Sequence, residues 1–150
     1  MRQLFLMMMG LLVLTNPACA QKSGNVEFMN AGTVAPNTLP FSEAVRVNDT
    51  VYLSGMIGNI PGTLKLAPGG IKGQARQAMD NIRAVLTAHG YTMKNLVKCT
   101  VMLADIADWP VFNDVYKTYF AAPFPARSAF AASGLAMDAR VEVECIAAGS

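Results

Sequence analysis

Apolar positions recur along this chain with two different periods, and the places where the period changes mark out its elements. Between Ile71 and His89 the apolar residues Ile71, Ala75, Ala78, Met79, Ile82, Val85 and Leu86 fall at helical spacing, with Lys72, Arg76, Gln77, Asp80 and Arg83 elsewhere. This predicts an amphipathic helix ended by Gly90. From Leu96 to Ala104 the period shortens to two, with Val97, Cys99, Val101 and Leu103 on one face and Lys98, Thr100 and Met102 on the other, as in a half-buried strand. A second helix is predicted to start at Asp108 as its cap, to carry the stripe Trp109, Phe112, Val115, Tyr116 and Tyr119, and to stop before Pro123. The aromatic stripe reads as core rather than as a ligand box.

Upstream, Ala44–Val47 and Val51–Ile57 flank the turn-like pair Asn48-Asp49, a β-hairpin signature. Downstream, Arg127–Leu135 and Arg140–Ala147 read as a closing pair of strands joined near 136–139. The order β-β-α-β-α-β-β predicts a two-layer α+β domain with both helices on one sheet face. In the last strand Val141, Val143 and Cys145 point to one side, expected under the helices, and Glu142, Glu144 and Ile146 to the other. The second, partly apolar face is then exposed in a monomer, and self-association would cover it.

The first 20 residues alter the destination. Arg2, the apolar run Leu4–Leu14 and the A-x-A pattern of Ala18 and Ala20 read as a signal peptide cleaved before Gln21, so the chain is expected to be exported, periplasmic or secreted. Lipid anchoring at Cys19 is the less favoured alternative, given Asn16 and Pro17. The apolar run falls short of the ~20 residues that span a bilayer. Residues 21–39 read as an N-terminal arm with a short strand at Val26–Met29, and 40–150 as the folded domain.

The 150 residues suffice for one domain. A net charge of +2, or +1 once Arg2 is removed, with basic residues scattered, makes nucleic acid a poor partner. Two cysteines remain after cleavage, Cys99 and Cys145. They can pair in an oxidising compartment or stay as buried thiols, the latter being the favoured reading. No CxxC or Cys/His cluster points to a metal.

Arg127, just after Pro125-Ala126, has the planar fork that grips a carboxylate with two parallel hydrogen bonds. On the residues alone an ordinary salt bridge to Glu142 or Glu144 is the slightly favoured reading. Glu142 is a candidate general acid/base if burial raises its pKa. His89, the only histidine, sits at a helix end and suits the C-terminal dipole. Ser54 and Ser128 have no histidine partner, which removes a serine hydrolase.

Several stretches together, Val51-Tyr52-Leu53-Ser54-Gly55, Gln74-Ala75-Arg76-Gln77-Ala78 with Asn81, Val97-Lys98-Cys99-Thr100-Val101, Asn113-Asp114-Val115-Tyr116, Pro125-Ala126-Arg127-Ser128 and Val141-Glu142-Val143-Glu144, resemble the Rid family (RidA, YjgF-like) of reactive-intermediate deaminases. The resemblance covers Pro40 to Ala147. It implies a chorismate-mutase-like α+β fold with a mixed sheet, and a homotrimer with a central barrel and active sites between subunits. It implies a hydrolytic deaminase of small 2-imino or 2-enamino acids, of the 2-iminobutanoate/2-iminopropanoate type, that releases ammonia and a 2-oxo acid. Arg127 would anchor the carboxylate and Glu142 assist water and proton transfer, with Gly55 lining the cleft, Asn113 shaping it, and no metal or organic cofactor.

The chain departs from the family pattern at Phe41, where a tyrosine is common, at Ala129, where a cysteine is common, at Met56 and at Gly134. These changes predict a more apolar pocket. They also motivate an alternative, a non-catalytic trimer that binds small carboxylates or a protein. A nuclease role, known for some relatives, is disfavoured by the lack of a basic patch with interleaved aromatics.

Overall fold

A computed structural model describes residues 24–149. The expected signal peptide, Cys19 included, lies outside the described residues. Seven strands, β1 (Val26–Met29), β2 (Ala44–Val47), β3 (Thr50–Leu53), β4 (Met56–Ile57), β5 (Leu96–Leu103), β6 (Ala126–Ala131) and β7 (Val141–Ala148), form one sheet with two helices, α1 (Gly70–Ala88) and α2 (Trp109–Tyr116). The strand order is β1-β2-β3-β7-β5-β6, with β4 also paired to β7. Every pairing is antiparallel except β5 with β6, which are parallel and joined through α2. The α+β class, the mixed sheet and the helices on one face all match expectation.

The period-two pattern accounts for the layering. Val141, Val143, Cys145 and Ala147 of β7 and Cys99, Val101 and Leu103 of β5 are buried beneath the helices. The apolar stripe of α1, with Ala75, Ala78, Met79, Ile82, Val85 and Leu86, covers them. Phe28, Tyr52 and Phe130 stand exposed on the other face, at 71%, 49% and 48%. This helix-free face is the one expected to seek cover.

Four readings need correction. The last two strands are not a hairpin, because β5 lies between β6 and β7. The strand whose inward residues are all buried takes the centre, where Val143 sits opposite Val101 and Val141 opposite Leu103, and the largely exposed β6 takes the edge. Val97 does not share the core face. The β5–β7 register shifts between Leu96 and Lys98, and this irregularity leaves Val97 48% exposed. The Asp108 side chain caps no helix. Its carboxylate accepts from Arg140 Nε at 2.9 Å and Nη2 at 2.5 Å, while Asp105 accepts from the Ala107 amide at 2.9 Å. The charged Arg140 fork outcompetes a backbone amide for Asp108.

The fourth concerns the cysteines. Cys99 and Cys145 are register partners with Cα atoms 4.1 Å apart, and they form a disulfide rather than two free thiols. Sequence spacing alone gives no register, which is why the pairing was not legible.

Buried polar side chains fix the loops around this core. Asn81 of α1 donates to the carbonyls of Ile57 at 3.0 Å and Asn59 at 2.9 Å, and Gln74 accepts from the Arg140 amide at 2.8 Å. One helix thus holds both β4 and the entry to β7. The described part of the N-terminal segment is held too: β1 pairs with β2, and the buried Glu43 carboxylate accepts from the amides of Ala31 at 3.0 Å and Val34 at 3.1 Å. His89, the C-cap residue of α1, brings its Nε2 to 3.9 Å from the same carboxylate.

The bridge closes a loop across 46 positions in the centre of the sheet. Reduction, or the C99A/C145A pair, is expected to cost about 2–5 kcal/mol. Urea unfolding with and without reductant measures this, and an unchanged midpoint would show that the thiols are not bridged.

Candidate active site

Arg127 leaves β6 on the helix side, because it is the register partner of the inward-facing Cys99. Its guanidinium is held between two aromatic rings, 4.5 Å from the Trp109 centroid and 4.4 Å from that of Tyr116. Nη2 donates to Asn113 Oδ1 at 2.8 Å. Trp109, Asn113 and Tyr116 are spaced i, i+4, i+7 along α2 and so share one helix face. Each cation–π contact is worth about 0.5–2 kcal/mol, so the fork is oriented before any ligand arrives. No carboxylate among the described residues pairs with it, which removes the salt bridge to Glu142 or Glu144. Burial pushes the Tyr116 hydroxyl pKa up, and the Arg127 charge partly opposes this. Ala129, two residues on, lines the same surface as Arg127 and Trp109.

Glu142 occupies a different place. It pairs with Met102 of β5 and Ile57 of β4, and it points away from the face occupied by Val141 and Val143. It borders a cavity of about 350 Å³ whose walls include Phe41, Gly55, Met56 and Met137. Desolvation raises the Glu142 pKa above the ordinary carboxylate value, and repulsion from Glu144 adds to the rise. Gly55 makes the arrangement possible: a Cβ there would sit 1.9 Å from Glu142 Oε1. Any side chain at position 55 would displace the carboxylate.

The six residues singled out from the sequence therefore form two groups. Phe41, Gly55 and Glu142 share one cavity, while Arg127, Asn113 and Ala129 lie together beside α2. Within one chain the groups do not meet. Arg127 pairs with Cys99 whereas Glu142 pairs with Met102, three residues along and on the far side of β5. At ordinary sheet spacings this is about 10 Å across and about 10 Å along, and the two side chains leave opposite faces.

Sequence reasoning missed the clamp of Trp109 and Tyr116, whose signal was their helical spacing with Asn113. It also missed Met137 as a cavity wall, since a loop residue has no periodicity. Among the described residues, no group of three or more His, Cys, Asp or Glu is placed to hold a metal ion, and no helix is long and apolar enough to cross a membrane.

Comparison with known proteins places this geometry. The family model described as Endoribonuclease L-PSP matches residues 32–149. A bovine (Bos taurus) 2-iminobutanoate/2-iminopropanoate deaminase is 48% identical over 108 residues, covering 72% of this chain and 79% of that protein. RidA from the Antarctic bacterium Psychrobacter sp. PAMC 21119 superposes with a TM-score of 0.77 at 34% identity, covering 82% of this chain and 99% of that one. E. coli TdcF, solved with bound serine, gives a TM-score of 0.76 at 29% identity, with 83% and 99% covered. Sequence over nearly all the described residues and fold over the same span agree, and the chain belongs to the Endoribonuclease L-PSP family, the Rid proteins that its motifs resemble.

Proposed function

We propose that the protein hydrolyses 2-imino acids to 2-oxo acids and ammonia at a site shared by two copies of the chain, Arg127 coming from one and Glu142 from its neighbour. The observation that carries this reading is the separation of two prepared half-sites. An oriented guanidinium stands on one side of the sheet and an acid of raised pKa in an apolar cavity on the other. One small molecule reaches both only if a second copy supplies the missing half. A homotrimer, whose ring would cover the exposed Phe28, Tyr52 and Phe130, does so. The bovine relative's name supports the chemistry.

In this reading Arg127 binds the substrate carboxylate with parallel hydrogen bonds and fixes the imine carbon near Glu142. Protonation of the imine nitrogen leaves that carbon electrophilic. The Glu142 carboxylate takes a proton from water as its oxygen bonds to the carbon, giving a tetrahedral carbinolamine. Returning the proton to nitrogen lets the C–N bond break, with the electron pair leaving on ammonia, and the hydroxyl gives its own proton to the Glu142 carboxylate as the oxygen closes to a carbonyl, which readies that proton for the next imine nitrogen. One water enters, and one ammonia and one 2-oxo acid leave.

A non-catalytic carboxylate binder is the second reading, favoured by Phe41, which brings no hydroxyl to the cavity. Binding of 2-oxo acids without turnover would mark it. The apolar wall beside Glu142 gives no support to a nuclease. Export belongs to the proposal as well, resting on the leader sequence and on a disulfide of the kind that persists in oxidising compartments.

R127A and E142Q should each lower kcat/KM on the order of a hundredfold or more. Co-expressed, the two variants should recover about a quarter of wild-type activity, the share of intact sites in randomly mixed three-membered rings. No recovery would place both residues in one chain's site, or remove one of them from the reaction. The acid limb of the kcat/KM profile reports the ionisation of Glu142 and should lie above the ordinary glutamate value. E144Q removes a neighbouring negative charge and should move that limb to lower pH. A limb that stays in place would detach Glu142 from the profile.

A further inference from the structure

We infer that the cavity beside Glu142 selects 2-imino acids with large apolar side chains, branched aliphatic, thioether or aromatic, over the two- and three-carbon acids, and that Met137 is a specificity-determining residue. This inference rests on the hydrolase reading. In that reading the carboxylate of the substrate belongs to Arg127 and its imine carbon to Glu142, so the remaining substituent must enter the cavity. Apart from Glu142, the wall there is built largely from Leu39, Phe41, Met56, Leu64 and Met137.

The other polar side chains at this wall are already engaged. Glu43 accepts the Ala31 and Val34 amides, and Asn59 donates to the carbonyls of Val34 and Thr63, both at 3.2 Å. A hydroxyl or carboxylate on the substrate side chain would therefore lose its water without finding a partner. A methyl group would fill little of a cavity of about 350 Å³.

Met137 supplies the second observation. It and Asp138 are consecutive non-glycine residues at φ 60° and 57°, a backbone conformation that L side chains rarely adopt. The strained turn sets the Met137 side chain at the cavity, where it remains 45% exposed, beside Phe41 at 53% and Leu64 at 55%. Strain that holds an exposed apolar side chain at a cavity has a use when a ligand covers that side chain.

The test compares imines generated in situ by an amino-acid oxidase. Each buried methylene is worth about fourfold. Wild-type kcat/KM for 2-imino-4-methylpentanoate should therefore exceed that for 2-iminopropanoate by tenfold or more. M137G should reduce this ratio roughly three- to tenfold without lowering Tm, because glycine tolerates the left-handed turn. M137L should keep the ratio. Calorimetry with pyruvate and 4-methyl-2-oxopentanoate repeats the comparison without turnover. Tighter binding of the branched acid with no hydrolysis overturns the hydrolase reading and leaves the pocket's preference standing. Hydrolysis with no preference, or with a preference for the small acid, overturns this inference alone, as does equal binding of the two oxo acids. An M137G ratio equal to wild type removes Met137 from the selection.

Discussion

The insertion of β7 between β3 and β5 brings Val141, Val143 and Cys145 beside Leu103, Val101 and Cys99, and a slip of one residue in that register would turn each of them out of the core. The disulfide is a consequence of this register and also locks it, since only this pairing sets the two sulfurs together. The placement of Glu142 follows from the same constraint. Once Val141 and Val143 face the helices, Glu142 must face away from them and toward β4, where Gly55 leaves room for its carboxylate. Arg127, two strands away and in register with an inward-facing residue, must take the opposite side. Separation of the two groups is thus built into the sheet.

Each half compensates for what it lacks. A guanidinium near an edge strand loses side-chain entropy when it is ordered for binding. Trp109 and Tyr116 prepay that ordering with their ring faces, and Asn113 fixes the rotation of the fork. A carboxylate in an apolar cavity resists ionisation, and Glu144 increases that resistance, which brings the group nearer to the range useful in proton transfer. The polar ties of α1 through Asn81 and Gln74 keep the cavity in shape, because they hold β4 and the start of β7 at fixed distances from one helix.

Much of this was legible in the residues and some could not be. Alternation in β5 and β7 and the 3.6-residue stripe of α1 gave the layers and the core, because periodicity reports which way a side chain points. It does not report which strands are neighbours. Arg127–Leu135 and Arg140–Ala147 are adjacent in sequence and read as a hairpin, yet burial favours β7 in the centre and leaves β6 at the edge. The Cys99–Cys145 bridge was hidden for the same reason. Val97 failed at a local irregularity, and Asp108 failed because a distant arginine competes for a carboxylate that local rules assign to a helix cap. Arg127 and Glu142 stood out by residue type, which left a salt bridge as the favoured account, while Asn113 and Gly55 were found only through the Rid motifs.

The two half-sites also bear on how such a protein can vary. In the proposed site the residues around Arg127 would recognise a carboxylate, a group common to all amino-acid-derived substrates, and they are fixed by one face of α2. The wall around Glu142 comes largely from loops, including the left-handed turn at Met137 and the segment held by Glu43. Loops tolerate substitution better than packed helices and strands do. Substitution at Phe41, Leu64 and Met137 would therefore change the side chain accepted while Arg127 and Glu142 keep their positions. Carboxylate anchoring and side-chain selection would thus be carried by different parts of the fold, and in a shared site they would come from different sides of the sheet.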